Sequence, residues 1–381
     1  MFMAMIGGLV LLLVFGGASY YVAFRLFCAL RTVKSNLKFR WFLVGAIVSG
    51  LLLMLGFARS MLPLSEGIKA ALKLFNAYWM GIFIYLFLFV LLTDLVLLTA
   101  AAIKRFAKRT PPKNFRIWVM GVAMVLAVVT CFYGFWNGMA ISHTTYTVSI
   151  FANQQHSPIH MVLISDLHLG AVGSETRLTK AVDEINRLKP DLVCIAGDLF
   201  DNDFNAIENP TQVARDLASI SAPMGVYACL GNHDSGDTTR QMERLLQQGN
   251  VTLLQDEYAV IDDRLVLAGR KDQTPIGGHH NGERAPLGDN PAPHLPLVVM
   301  DHNPARIDQY GAETDLVVCG HTHEGQLFPA NFITQMMYQV DYGYAQPDPN
   351  GPQVVVTSGL GTWGMPMRVG TKGEIVSIYL Q

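Results

Sequence analysis

The stretch His160-Met161-Val162-Leu163-Ile164-Ser165-Asp166-Leu167-His168 sets the reading of the chain. Residues 160–165 form an apolar run of the length of a buried strand, and a carboxylate and an imidazole follow it two positions apart. Residues i and i+2 leaving a strand point the same way, so Asp166 and His168 can present two donors to one cation. The arrangement recurs along the chain. Gly197-Asp198-Leu199-Phe200-Asp201 follows a strand over 192–196, and Gly231-Asn232-His233-Asp234 follows one over 225–230. Asp301-His302-Asn303-Pro304 follows one over 297–300, and Gly320-His321-Thr322-His323 one over 316–319. One such signal is an ordinary turn, but five in a single domain, each where an apolar run stops, describe one pocket of oxygen and nitrogen donors. Carboxylate and imidazole without thiolate suit Mn, Fe, Zn or similar ions, and the glycines before Asp198, Asn232 and His321 let the backbone turn tightly beside them.

Between these strands the sequence alternates with amphipathic helices. Leu178, Val182, Ile185 and Leu188 share one face of a helix that Ser174 can cap and Lys189-Pro190 ends. Further helices are expected over 211–220 and 238–248, a strand over 251–254, a hairpin over 258–269 turning at Asp262-Asp263, and strands over 354–357 and 375–379. This is the pattern of a layered α/β domain. The segment 271–296 is polar and rich in Gly and Pro; its His279, His280 and His294 fall outside the pattern and read as solvated loop residues.

The first part of the chain has a different texture. Over 381 residues the sequence is 51% hydrophobic and only 15% charged, with a mean hydropathy of +0.29, which is too apolar for an ordinary soluble protein. The formal net charge of -2 hides two opposite halves: residues 1–150 carry 14 Lys and Arg against Glu66 and Asp94, whereas the remainder carries 14 basic and 28 acidic residues. The acidic half, at -14, does not suit a nucleic-acid polyanion and does suit a cation site. The five cysteines, Cys28, Cys131, Cys194, Cys229 and Cys319, show no CxxC spacing and read as small core hydrophobes.

Four apolar runs, over 1–24, 41–58, 74–103 and 117–140, approach or exceed the roughly 18–20 residues that cross a bilayer as a helix. The first lacks a preceding cation and a small-residue cleavage site, so it reads as a retained anchor rather than a removed signal peptide. Short Lys- and Arg-rich loops stay cytoplasmic. Arg25, Arg31, Lys34, Lys38 and Arg40 lie in the first loop, and Lys104, Arg105, Lys108, Arg109, Lys113 and Arg116 in the third. Both are expected inside, which puts everything after the fourth helix outside the cytoplasm, at an inner or plasma membrane if the source is bacterial. Asp94, the one acid in a membrane run, is expected either to make a helix-to-helix hydrogen bond or to lie near the inner interface.

In their order, the motifs at Asp166/His168, Asp198/Asp201, Asn232-His233-Asp234, His302 and His321/His323 resemble those of the calcineurin-like metallophosphoesterases: DxH, GDxxD, GNHD or GNHE, an isolated His, and GHxH. His323-Glu324-Gly325-Gln326 and the tail from Ser358 to Arg368 are similar to the bacterial YkuE/YaeI-type membrane-associated branch, related to UDP-2,3-diacylglucosamine pyrophosphatases. The resemblance covers about 147–381. The apolar runs make 1–146 a transmembrane region of about four helices, and the resemblance implies, over 147–381, an α/β metallophosphoesterase domain in the form of a four-layer αββα sandwich.

It also implies a site. One divalent cation would be held by Asp166, His168 and His323 and a second by Asn232, His302 and His321, with Asp198 bridging; Mn, Fe, Zn or Mg would serve. His233 would protonate the leaving oxygen, oriented by Asp234, with Asp201 as an outer partner, and Arg368 and Arg270 would contact substrate phosphate. The implied activity is metal-dependent hydrolysis of a phosphodiester or pyrophosphate. Tethering next to a bilayer points to a phosphorylated lipid or envelope substrate, and the apolar stretch 336–344 reads as core packing, a lid or a contact for acyl chains. The alternatives are a phosphodiesterase or phosphatase for soluble substrates with the helices as anchor only, and a non-catalytic membrane sensor.

Overall fold

The apolar runs become helices α1 (Phe2–Leu30), α2 (Phe39–Phe57), α3 (Glu66–Ala107) and α4 (Phe115–Gly138), each long and apolar enough to cross a membrane. They come from a computed structural model that describes every residue except 1, 60, 109–111, 113, 152–156, 277–283 and 285. His279, His280, Arg109 and Lys113 therefore lie outside the described residues. The chain divides into two units, Met1–Gly134 and Phe135–Gln381.

In the first unit α3 runs for 42 residues, about 60 Å at 1.5 Å per residue and twice a bilayer's hydrocarbon thickness. Its ends, with Glu66, Lys69 and Lys73 at one and Lys104 and Arg105 at the other, are the parts suited to water. Val22 and Ala29 of α1 pack against Phe83 and Val90 of α3. Asp94 accepts a hydrogen bond from the Tyr21 hydroxyl at 2.8 Å and pairs with Arg25, so both partners of this acid come from α1, across a helix-to-helix contact.

The second unit contains two six-stranded sheets. The first is built from β1 (Ile141–Val148), β2 (Ile159–Ile164), β3 (Leu192–Ala196), β4 (Val226–Cys229), β5 (Thr252–Leu253) and β12 (Gly373–Leu380) in the order β1-β12-β2-β3-β4-β5. The second takes β6 (Glu257–Ile261), β7 (Leu265–Gly269), β8 (Leu297–Met300), β9 (Leu316–Cys319), β10 (Gly343–Ala345) and β11 (Gln353–Val356) in the order β10-β11-β9-β8-β7-β6. Strands β2 to β5 are mutually parallel, and so are β7, β8, β9 and β11. Parallel strands are joined by crossovers, and their carboxyl ends fall on one edge.

Period-two alternation explains the layers. Met161, Leu163, Leu192 and Cys194 meet Leu265, Leu267, Val298 and Met300 between the sheets. Val162, Ile164, Val193 and Ile195 face the other way, against α5 (Ser174–Leu188), α6 (Pro210–Ala218) and α7 (Thr239–Gln248). On the far side, Val266, Val299 and Val317 are covered by Ile307 of the short 3₁₀ turn Pro304–Gln309 and by Ala292 and Leu295. The fourth layer of the expected αββα sandwich is thus a turn and loops, and α8 (Asn331–Met337) buries none of its residues.

Two local differences from the sequence reading have simple causes. The strand β1 begins at Ile141, before the expected boundary at 146/147, because it pairs in parallel with β12 at the far end of the chain; a partner that distant leaves no local signal. Ser174 opens α5 from its first turn, with Gly173 as the cap residue. The hairpin does turn at Asp262 and Asp263, both in the left-handed region at φ 49° and 51°, the geometry that favours Asp, Asn and Gly there.

Replacing Ile185, fully buried under α5, by Ala should cost about 2–5 kcal/mol. Each kcal/mol lowers Tm by about 2–4 °C in a unit of this size. Asp183→Ala, on the exposed face of the same helix, should stay within about 0.5 kcal/mol. Thermal unfolding of the detergent-solubilised protein compares the two, and equal losses would contradict the layer assignment.

Candidate metal centre

Every expected ligand follows the carboxyl end of a strand, and the second unit brings all seven together. Asp166, His168 and His323 form one cluster and Asp198, His302 and His321 another, the donor atoms in each lying within 4.8 Å of one another. His168 Nε2 and His323 Nε2 are 3.1 Å apart, and Asp166 Oδ1 is 3.4 Å from His323 Nε2. In the second cluster His302 Nε2 lies 3.2 Å from Asp198 Oδ2 and 3.2 Å from His321 Nδ1. Asn232 Oδ1 is 2.9 Å from that His321 nitrogen and 3.2 Å from His302 Nε2. Asp198 Oδ2 also lies 3.9 Å from His168 Nε2, between the two clusters.

The donor set fits two divalent cations. A carbonyl only accepts, so the 2.8 Å contact of His302 Nδ1 with Ala196 O fixes the ring proton on Nδ1 and turns the Nε2 lone pair inward. His168 turns its Nδ1 toward Asp201 Oδ1 at 3.6 Å and its Nε2 toward His323 in the cluster. All donors are nitrogen or oxygen, in agreement with the ion types expected.

The backbone is bent to achieve this. Asp166, His168, Asp198, His321 and His323 all have positive φ, between 49° and 73°. Such left-handed conformations cost of order 1–3 kcal/mol each in a non-glycine residue and persist where the surroundings over-determine them. Two glycines supply the close approach. A Cβ on Gly231 would lie 2.2 Å from Asp198 Oδ1, and one on Gly320 would lie 2.3 Å from Asp166 Oδ2.

Burial and mutual charge set the protonation states. Burial pushes the Asp198 carboxyl up, but the charges of His302, His168 and His233 outweigh it and hold the group far below the carboxylate range. Burial pulls His302 down, and Asp198 more than compensates, so this imidazole sits well above its ordinary value. His168 is raised as well: burial lowers it, and Asp201 and Asp198 overcome that. Burial drives His321 down to about 4, with help from His302. It likewise drives His323 well below the ordinary value, with help from His168 and Arg368.

Three expected roles are corrected. Asp234 does not orient His233: its carboxylate is buried and accepts from the backbone N–H groups of Gly231, Phe200 and Leu199 at 2.8, 2.7 and 3.3 Å. The side chains at His233 Nδ1 are Asn202, at 2.7 Å, and Asp201, at 3.8 Å. Arg368 does not reach for substrate. It is fully buried, its Nη2 donates to the carbonyls of Ser358, Gly359 and Gly361 at 2.7, 3.1 and 2.7 Å, and the same nitrogen lies 3.2 Å from His323 Nδ1. A guanidinium spent on carbonyls positions a loop and a ligand instead of binding phosphate.

Arg270, 5% exposed, pairs with Asp256 at 3.3 Å. It lines a cavity of about 640 Å³ with Arg284, Arg306 and Tyr310, and none of the seven ligand residues lines that cavity. His294 is not in any described donor cluster.

The sequence reading missed Asn202, whose only signal was its place directly after Asp201. It gave no place at the site to Trp363 or Tyr338, although their rings lie 6.0 Å from His233 and 6.1 Å from His321.

Residues 159–325 match the calcineurin-like phosphoesterase family. The chain is 30% identical over 238 residues to a transmembrane protein with metallophosphoesterase domain from Danio rerio, covering 58% of this chain and 53% of that protein. It is 27% identical over 261 residues to an uncharacterized metallophosphoesterase of Aquifex aeolicus, covering 68% and 98%. With the uncharacterized metallophosphoesterase YkuE of Bacillus subtilis it shares 27% over 230 residues, covering 58% and 78%. The aligned region spans about half the length of the Danio rerio protein.

A cation must displace any proton on its imidazole ligands. With His168 and His302 held above the ordinary imidazole value, Mn²⁺ affinity should rise with pH across the imidazole range, and binding at about pH 7 should release protons. Calorimetry in two buffers of different ionisation enthalpy reads the release; flat affinity with no release would contradict the assigned states. Arg368→Leu should weaken cation binding by about 10–100-fold through the freed His323, as loss of an outer-shell partner does. Unchanged affinity in folded protein would remove Arg368 from the site.

Proposed function

We propose, from a calcineurin-like phosphoesterase domain over residues 159–325, that the chain is a membrane-anchored hydrolase that cleaves phosphodiester or pyrophosphate bonds with two divalent cations. The observation that carries this reading is the meeting of two donor clusters at Asp198, with His233 against their edge. When bound, two such cations polarise the phosphoryl oxygens and supply an activated water for in-line attack. The residues of the chain do the rest.

Asp198 would serve both cation positions, because its carboxylate lies 3.2 Å from His302 Nε2 in one cluster and 3.9 Å from His168 Nε2 in the other. Its very low proton affinity keeps it anionic at any working pH. His233 is the proton donor to the leaving oxygen. The Asn202 side-chain amide, 2.7 Å from His233 Nδ1, fixes the ring and leaves Nε2 as the nitrogen free to hand a proton from the charged imidazolium to the leaving oxygen. The ring lies 5.0 Å from that of His168, so the donor sits at the border of the first cluster. Burial lowers the proton affinity of His233, and Asp201, 3.8 Å away, steadies the ring when it is charged.

The envelope setting is the second part of the proposal. Four helices able to cross a membrane precede the domain, and Danio rerio and Bos taurus relatives carry the description transmembrane protein with metallophosphoesterase domain. The basic loops after α1 and α3 favour a cytoplasmic position for both, which leaves the domain outside the cytoplasm. The Mn²⁺, Fe, Zn or Mg choice rests on the nitrogen and oxygen donors alone. A unit of net charge -14 gives no support to a nucleic-acid partner.

Purified protein stripped of metal should hydrolyse bis-p-nitrophenyl phosphate only after a divalent cation is restored. Asp198→Asn should abolish turnover, and His233→Ala should lower it about 10²–10⁴-fold, the range for a lost general acid. Folded protein inactive with every divalent cation would overturn the esterase reading. Protease protection in sealed vesicles checks the topology, since cleavage of the domain only from the cytoplasmic side would reverse it.

A further inference from the structure

The surface around the site is apolar where the rest of the unit is acidic. On one side, Phe328, Phe332, Ile333, Met336 and Met337 are between 48% and 79% exposed. On the other, Trp363 is 52% exposed. From Gln326 to Tyr344 the single charged residue is Asp341, which accepts from Thr334 Oγ1 at 3.0 Å; from Gly361 to Met367 there is none. The two segments are tied together. Gln326 accepts from Trp363 N at 2.7 Å and donates to Trp363 O at 3.0 Å, and Phe328 N donates to Val369 O at 2.8 Å. Both border the donor clusters, through Tyr338 at His321 and Trp363 at His233.

The same loop receives the incoming chain. Residues 135–138, the last turn of α4, belong to this unit. Asn137 Nδ2 donates to Arg368 O and Thr371 O at 3.1 and 2.7 Å, and Arg177 donates to Gly138 O at 2.6 Å. Gly138 is pressed so close that a Cβ would lie 2.8 Å from Met367 Cα. The end of a helix able to cross a membrane and the exposed Trp363 therefore share one loop, 361–371.

We propose that α8, with Phe328 and Trp363, is a bilayer-contact platform: these side chains enter the lipid interface and hold the mouth of the metal centre against the membrane surface, where it meets phosphate groups carried by lipid. Trp, Phe and Met are the residues that gain by entering that zone, and an uncovered apolar patch of this kind is unfavourable in water. A unit of net charge -14 is repelled by an anionic leaflet, so the uncharged rim is the face suited to approach one. The lipid source of the substrate rests on the phosphoesterase reading; the contact itself does not.

The test uses the full chain, with Cys28 replaced by Ser, in vesicles of plain or chain-brominated phosphatidylcholine. An environment-sensitive fluorophore is placed at Phe332→Cys, at Met336→Cys and, as control, at Asp262→Cys on the exposed hairpin tip. Blue-shifted emission at 332 and 336 that brominated lipid quenches at least about twofold, with 262 aqueous in both vesicles, is the expected result for insertion. Aqueous emission at 332 and 336 overturns the platform. So does a blue shift that brominated lipid leaves unquenched, which would mean a protein surface or a second copy covers the patch. Hydrolysis of bis-p-nitrophenyl phosphate by the same samples separates the two ideas: turnover without insertion sinks only the platform, and insertion without turnover sinks only the esterase reading.

Discussion

A buried carboxylate among buried imidazoles is the constraint on which the second unit depends. Asp198 is 2% exposed, and an unpaired charge in that position would cost several kcal/mol. It is held by proximity to His302 and His168 and by the backbone N–H of His233, which donates to its Oδ1 at 2.8 Å. Each of those groups arrives from a different strand, so the two sheets must stack in one register for the charge to be met. That register is supplied by the inter-sheet core, in which Leu163 and Cys194 lie against Leu267 and Val298. The apolar layer and the polar edge are therefore one problem: packing fixes the strand ends, and the strand ends fix the charges.

The loop 358–372 plays the corresponding part for the first cluster. Arg368 fastens three carbonyls of this loop and lies against His323, so one fully buried cation replaces the secondary structure that the segment lacks. The loss of solvation lowers its proton affinity to about 10, which still leaves it charged at neutral pH. A bidentate fork is suited to such a task because its donors are pre-organised in a plane. The same chemistry that makes arginine a phosphate ligand makes it a brace, and burial decides between the two.

The ligand positions were legible in the sequence because a strand end is marked by an abrupt change from apolar to polar residues. Asp166, Asp198, Asn232, His302 and His321 each sit at such a change, and their convergence needs parallel strands within each sheet and the two sheets stacked in register. What was not legible depended on non-local geometry. Nothing local distinguishes an arginine that points outward from one that points in, so Arg368 and Arg270 were both read as phosphate contacts. Asp234, next to His233 in sequence, turns to the backbone of another loop, whereas Asn202, 31 residues earlier, reaches the ring. The strand β1 hides for the same reason, since its partner β12 is at the other end of the chain. The thin fourth layer was inherited from the family pattern and has no sequence signal of its own.

The charge asymmetry of the chain links the two units physically. Cations in the loops of the first unit suit an anionic leaflet, and the -14 of the second draws divalent ions toward the donor clusters while pushing the domain away from the same surface. An acidic field thus favours loading of the site and opposes its approach to lipid. The uncharged stretch from Gly361 to Met367 and α8, the platform proposed above, is where such a conflict would be relieved. A short helix that buries none of its residues adds little to the stability of the fold. Tyr338, directly after it, lies 6.1 Å from the His321 ring, so the exposed helix leads straight into the rim of the second cluster, as the proposed bilayer contact requires.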